Sequence, residues 1–472
     1  MTKTIIRYAL AILLAIVMFR LIRNNSAKFR LYRYTEASQS MHRRDGHAIV
    51  VVEAKDNHRR AKALANREIC IQRIRQRHQQ AFGNFFYNLS ESHHILLVDP
   101  AYHQNFGDTL LTLAEKVFFD RMAKYVTIDE CTYIQGNSLH LPSCRKWNTT
   151  TLSEEEGPEH LAFWHAGGNW GDLYRYVQNP RLESFVTLLR ANYTIVGFPQ
   201  SLYYRNPKSL IKESYILKDN IAKGLALIDG TKKFVVPSDQ EHANNNNVSI
   251  PDKSQETTRQ AELHPLDTDF GRTLARSRVT LTWREFSSYE TALEMYPFVT
   301  NVLVPDIAFE EGPFQSPQRP TVDILFFLRQ DDESKYPQYR KDEDHQLTNL
   351  VHQHNPNLTH LIVDWESRYE MFGNNDRLNI TTAVDLLQTG RVMICDRLHA
   401  AILGYLSQVP FVYLDQVSNK VTNVLNVSFS NIPEFPDDNH DCMDGTKHMF
   451  KKASSIEEAI PMALQMIEDY DL

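Results

Sequence analysis

The stretch Val392–Asp415, VMICDRLHAAILGYLSQVPFVYLD, decides how this chain is read. An apolar, strand-like run halts at Asp396, and a helical pattern with Leu398, Ile402 and Leu406 on one face begins at once. A second apolar run, VPFVYLD, follows directly. Strand, helix and strand in such close order spell a βαβ unit of a parallel sheet. Arg397 and His399 flank Leu398 at the strand-to-helix junction, where free backbone N–H groups and the positive helix end add to both side chains.

The same alternation extends outward in both directions. HHILLVDP, EHLAFWHA, YTIVGFPQ, KFVVP, RVTLTWR, NVLVPD, TVDILFFLR, THLIVDW and RVMICD read as further strands separated by longer helical stretches, which predicts an α/β fold. Residues 239–267 have almost no apolar content and read as a surface insertion, and Glu310–Pro320, EEGPFQSPQRP, reads as a linker. Two sheet-and-helix domains result, residues 92–309 and 310–472. At 472 residues with 42% hydrophobic content the chain can bury two ordinary cores. A net charge of −7 and a pI near 6.3 give no global reason to expect nucleic acid.

Residues 1–23 contain an apolar run, Ile5–Ile22, broken only by Arg7 and Arg20, and are read as an uncleaved signal anchor in a membrane. Residues 24–91, polar and basic, read as a stem, with the helical piece around Leu64, Ile69, Ile71 and Ile74 taken as a solvated linker helix. Counted naively, flanking positive charge puts the bulk of the chain in the cytosol. Glycosylation sequons at Asn88, Asn148, Asn192, Asn247, Asn357, Asn379 and Asn426 oppose that and favour the secretory lumen. Of the five cysteines, Cys131 and Cys144 are the plausible disulfide, and Cys395, in an apolar strand, is expected to be simply buried.

In open α/β sheets ligands lie outside the carboxyl ends of the strands. Four such loops carry unusual chemistry. Two share an Asn-aromatic-Gly-Asp pattern ahead of a helix: Asn105, Gly107 and Asp108 in one, and Gly168, Asn169, Gly171 and Asp172 in the other. An Asp there can simply cap the helix, but two copies in equivalent contexts point to a pocket, with Asp172 ahead of Asp108. The third places Arg284 at a strand end, where it either grips an anion or pairs with a local acid such as Glu285. The fourth is Arg397–His399, for which the competing reading is a packed His and an Arg paired with Asp396.

The segments QNFGD, GGNWGD, GFPQS, TWREFSS, VLVPDIAF, CDRLHAAI and VSNKV, in this order, resemble the polysaccharide pyruvyl transferase family, including the fungal Golgi enzymes that put pyruvate ketals on terminal galactose. The resemblance covers about Leu96 to Leu425; one departure is HAGGNWGD, where the family often shows three consecutive glycines. It implies two Rossmann-like domains with a cleft between them (GT-B-like), the donor phosphoenolpyruvate, a galactose-containing glycan acceptor, a Golgi membrane location with the catalytic domain lumenal, and no cofactor. Phosphoenolpyruvate needs several cations around a small volume. Arg284, Arg397, His399 and the helix start at Leu398 meet that need, with Arg329 and Lys420 as further candidates. His399 is assigned as general acid, and Asp172 or Asp108 as base or orienting group. No metal is required by this scheme. Trp170, Tyr174, Tyr203 and Tyr204 are possible sugar platforms.

Two rivals belong to other classes. A metal-dependent glycosyltransferase wants an acidic D-x-D after an apolar strand, but Asp267–Asp269 and Asp342–Asp344 lie in polar stretches. A lectin-like binder gains little from Arg284, Arg397 and His399 together.

Overall fold

The computed structural model describes residues 46–470 except 88, 90–93, 102–104, 125, 132–159, 229–262, 315–318, 331–333, 340–344, 365–375, 431–441 and 443–448. The Ile5–Ile22 segment, Cys144, KFVVP and the 239–262 part of the insertion lie outside the described residues. Among those described, no helix is long and apolar enough to cross a membrane. The chain forms two units, residues 1–57 and His58–Leu472.

The second unit holds two parallel sheets. The first sheet comprises β1 (His94–Val98), β2 (Thr127–Cys131), β3 (His160–Trp164), β4 (Gly167–Gly171), β5 (Tyr193–Gly197), β6 (Gln200–Tyr203), β7 (Val279–Trp283) and β8 (Thr300–Leu303). Its order is β2-β1-β3-β5-β7-β6-β4, with β8 on β7. β4 and β6 resume just after β3 and β5 and pair with each other, so the main strands run 2-1-3-5-7-8 and the order reverses between β1 and β3. The second sheet, β9 (Val322–Phe327), β10 (His360–Val363), β11 (Gly390–Cys395), β12 (Phe411–Leu414) and β13 (Phe450–Ala453), runs β10-β9-β11-β12-β13, reversing between β9 and β11. Crevices form at such reversals because the loops there diverge to opposite faces of the sheet. Every strand expected from sequence within the described residues is present. β2, TIDEC, and β13, FKKA, were too polar to show as apolar runs and are held by backbone pairing to β1 and β12.

β5 and β7 are buried at every position, as strands covered on both faces must be. One apolar cluster joins the faces of both sheets: Ile95, Leu97, Phe163 and Val196 of the first with Leu325, Met393 and Phe411 of the second. The QNFGD helix, α2 (Phe106–Met122), adds Phe118 and Phe119 to the same cluster.

The expected solvated stem is corrected by the helix α1 (Gly46–Phe86). Its Cys70, Ile71, Ile74, Phe82 and Phe86 belong to that central cluster, although Ile69 is exposed. Phe82 meets Phe118, Phe163 and Phe198 edge-on. Its basic residues misled the sequence reading because they are spent on the carbonyl ends of other helices, where cations are stabilised. Arg75 donates to the carbonyls of Phe309, Glu310, Glu311 and Gly312. Arg77 donates to those of Val427, Ser428 and Ser430. A Cys70–Cys442 disulfide, not foreseen, ties this helix to the region of the second sheet. Cys131 is also disulfide-bonded, and Cys395 is free and buried as expected. One sequon loses its force: Asn379 is 0% exposed, so the folded chain cannot present it to a glycan-adding enzyme, whereas Asn357 is exposed.

Candidate active site

Arg284 follows the last residue of β7, where its N–H donates to the Gln200 carbonyl (3.0 Å), so the two strands fix its Cα. The side chain is fully buried. Its Nε donates to Ser201 Oγ (2.8 Å) and its Nη1 to Asp306 Oδ2 (2.6 Å). Asp306 stands after β8 and uses its other oxygen to cap the short helix Ile307–Glu310 through the Ala308 N–H (2.9 Å). From the second sheet comes His399, on α9 (Leu398–Leu406) after β11. Its Nε2 lies 3.4 Å from Arg284 Nη1 and 3.6 Å from Asp306 Oδ2. The remaining guanidinium nitrogen, Arg284 Nη2, is buried and has no hydrogen-bond partner among the described residues. An orphan charged donor is costly in a folded interior unless something accepts from it.

Two glycines define what that nitrogen faces. A Cβ at Gly168 would collide with Lys420 Nζ and lie 3.4 Å from Arg284 Nη2. A Cβ at Gly107 would lie 2.5 Å from His399 Nδ1. The two Asn-aromatic-Gly-Asp elements therefore run directly against the cationic side chains. Lys420 opens α10 (Lys420–Phe429) just beyond β12. Gly168→Ala should push the Lys420 ammonium aside and raise the KM for an anionic donor several-fold with little change in melting temperature; an unchanged donor KM would show that the ammonium does not serve the donor.

Electrostatics match this geometry. Burial pushes the Asp306 carboxyl upward, but Arg284 and then His399 outweigh it and hold it well below the usual carboxylate range. Burial lowers the His399 imidazole from its ordinary value, opposed by Asp306 and Asp108. The free cluster therefore favours a neutral His399, and an arriving anion would draw a proton onto it. Asp396 is pushed up to about 6 by burial, against the Arg329 N–H and the Arg329 and Arg397 charges. Among the described residues, no three His, Cys, Asp or Glu side chains are gathered as for a metal ion.

Comparison with known proteins settles the family. The profile of the polysaccharide pyruvyl transferase family matches residues 105–418. The chain belongs to the polysaccharide pyruvyl transferase family. It is 25% identical over 340 residues to Pyruvyl transferase 1 of Schizosaccharomyces pombe, covering 69% of this chain and 67% of that one. Among solved structures, a functionally uncharacterised Klebsiella pneumoniae protein matches at TM-score 0.40 and 14% identity, over 76% of this chain and 96% of the other. The E. coli heptosyltransferase WaaC with ADP-2-deoxy-2-fluoro heptose matches at TM-score 0.20 and 10% identity, over 80% and 100%. Those scores are too low to build on.

In this transferase the other expected site residues divide into neighbours of the cluster and scaffold. Asp108 acts on His399 through its charge and accepts from Asn105 Nδ2 (3.1 Å), while Asn105 Oδ1 caps α2 at the Gly107 N–H. Leu398 is buried as the first residue of α9. The Asn169 side chain lies outside what the structure describes. Asp172 does not cap the helix that follows it; its oxygens accept from the N–H groups of Arg205 (2.8 Å) and Asn206 (3.1 Å) and so pin the turn ahead of Pro207. Arg329 uses its backbone N–H on Asp396 Oδ1 (2.7 Å), and its side chain is largely buried. Trp170 is a core residue hydrogen-bonded to Tyr296, not a sugar platform.

Arg397 requires a correction. Its guanidinium grips Asp364 in bidentate fashion, Nε to Oδ1 at 2.5 Å and Nη2 to Oδ2 at 2.7 Å, and is only 4% exposed. Its acidic partner is thus Asp364 and not Asp396, which accepts instead from the Arg329 N–H and Ser334 Oγ. Arg397 ties β11 to the end of β10 and so sets where His399 begins its helix. Arg397→Ala strands a buried carboxylate and should destabilise by about 3–5 kcal/mol in chemical denaturation. A stable protein with only weaker donor binding would restore Arg397 to the donor site. Asp306, Ser201 and Asp364 were missed from sequence. Asp306 carried a legible signal, an acid closing the apolar run VLVP, but its partner Arg284 is brought to it only by the β7–β8 pairing.

Proposed function

We propose that the protein moves the enolpyruvyl group of phosphoenolpyruvate onto two hydroxyls of a glycan sugar, terminal β-galactose by resemblance, to form a pyruvate ketal. The observation that carries this reading is Arg284 Nη2, a buried cationic donor without an acceptor among the described residues, facing Gly168 and Lys420. A compact anion with a carboxylate and a phosphate is the chemistry such a group answers. His399, charged once the donor's negative groups are beside it, protonates the methylene carbon as one sugar hydroxyl bonds to the central carbon. That hydroxyl's proton, collected with the help of Asp108, recharges the imidazole. The second hydroxyl then displaces phosphate at the same carbon, and its proton leaves with the phosphate. In this reading the donor lies in a cleft between two Rossmann-like domains, as the family resemblance implies. In the rival glycosyltransferase reading, Asp267 and Asp269 would hold a metal; they are engaged instead by Lys218 and Arg272.

We further place the protein on the Golgi membrane through Ile5–Ile22, with the bulk lumenal; the Cys70–Cys442 disulfide suits an oxidising compartment. No cofactor enters the scheme. The test is incubation of purified protein with phosphoenolpyruvate and a β-galactoside, following phosphate release and an acid-labile mass gain on the sugar. Phosphate release without a sugar adduct would overturn the transfer.

A further inference from the structure

Resting on the glycan-acceptor reading, we propose that the cleft between α3 (Arg175–Arg190) and α4 (Pro207–Gly224) is an acceptor subsite that binds a neutral sugar ring of the glycan beyond the one modified. The cleft encloses about 310 Å³. That lies at the small end of ligand pockets, roughly 300–1,000 Å³, and fits one ring better than an extended chain. It runs along the first three turns of both helices, which start beyond the carboxyl ends of β4 and β6, the edge of the sheet that also carries Arg284.

Its lining sets the ligand class. Arg175 and Lys212 face Glu183 and Glu213, so cations and acids balance, and neither a polyanion nor a polycation is favoured. Asn179 and Ser209 add an amide and a hydroxyl, so the lining offers both donors and acceptors. A sugar hydroxyl, one donor with two acceptor lone pairs, is matched to such a wall. Leu182 and Ile216 supply apolar surface for the C–H face of a ring. The deep end is built rather than incidental. Glu213 is 6% exposed and accepts from Tyr204 Oη (2.8 Å), and Ser209, 8% exposed, accepts from Arg175 Nη2 (2.8 Å). Burial raises the Glu213 carboxyl from its ordinary value, opposed by its hydrogen bond from Tyr204 and by the Arg175 charge.

This gives the second Asn-aromatic-Gly-Asp element a second task. Gly171, with φ +139°, packs against the Tyr203 carbonyl where no Cβ fits, and Asp172 pins the turn entering α4. One loop thus contributes Gly168 to the donor side and fixes the wall of the sugar cleft.

The test compares two acceptors, a simple β-galactoside and a trisaccharide with the same galactosyl end, in the wild type and in the double variant N179A/K212A, whose sites are both exposed and outside the donor cluster. The variant should show a roughly tenfold higher KM for the trisaccharide, the loss of one or two hydrogen bonds. Its KM for the simple galactoside and for phosphoenolpyruvate should be unchanged. Equal effects on both acceptors, or none on either, would overturn the subsite. If the wild type transfers to neither acceptor, the enzymatic reading fails separately. Calorimetric binding of the trisaccharide then decides the cleft by itself: binding that the variant weakens supports it, and binding indifferent to the variant refutes it.

Discussion

A chain beginning at Ser92 is expected to yield no folded protein, whereas one beginning at His58, where the compact unit starts, should be soluble and active. The residues between these points were read as stem, but they bury Ile71, Ile74, Phe82 and Phe86 in the cluster that joins both sheets. Removing large apolar side chains from water stabilises by about 1.5–3 kcal/mol each, so these four rival the roughly 5–15 kcal/mol that holds a whole domain. The loss is not only apolar. Without Arg75 and Arg77 two helix ends keep unsatisfied carbonyls. Without His78, Glu310 loses a 2.7 Å partner beside the turn that presents Asp306. Arg121 of α2 would be left as the cation on Glu310, without the buried imidazole that shares the same oxygen. Size-exclusion chromatography and thermal melting decide the matter. A Ser92 chain with the melting temperature of the His58 chain would show that the helix is a dispensable spacer.

His399→Gln should lower turnover by about 10²–10⁴-fold, the usual worth of a positioned proton donor, while the protein stays folded. The side chain is 12% exposed, and the Arg284–Asp306 pair beneath it persists without it. The pH dependence separates a chemical role from a steric one. The acid must be charged, and in the free protein burial lowers the pKa of His399. kcat/KM should therefore fall as pH rises through a value below the ordinary histidine range, near 6.5. Donor charge beside the ring raises that pKa in the complex, so the corresponding fall in kcat should come at higher pH. The glutamine variant should lose both limbs. A residual rate carrying the wild-type limbs would assign the titration to another group.

Much of the site was legible because strand ends announce themselves. Apolar runs that stop at a charged residue marked Arg284 and the Asp396–His399 junction, and paired Asn-x-Gly-Asp elements marked the facing loops. Roles were less legible than positions. Arg284, Arg397 and Asp172 look alike as strand-end polar residues, yet Arg284 keeps a nitrogen open among the described residues, Arg397 is held by Asp364, and Asp172 is spent on the backbone of the Arg205–Asn206 turn. Whether a charged side chain serves a ligand depends on which acids the fold delivers to it. Asp364 lies at the end of β10, a distant strand, so no local pattern could have named it.

The alternation of apolar runs and helical stretches by itself determined the α/β class and the apolar strands, though not β2, β4, β6 or β13, since the period of side-chain burial follows from backbone geometry alone. Tertiary packing decided the rest. It turned a basic, solvated-looking helix into part of the core by spending its arginines on orphan carbonyls, and joined Cys70 to Cys442. It also brought His399 of one sheet to Arg284 and Asp306 of the other. Those outcomes depend on partners far away along the chain, 115 residues for His399 with Arg284 and 372 for Cys70 with Cys442, and a local pattern carries no information about what the far chain will place beside it.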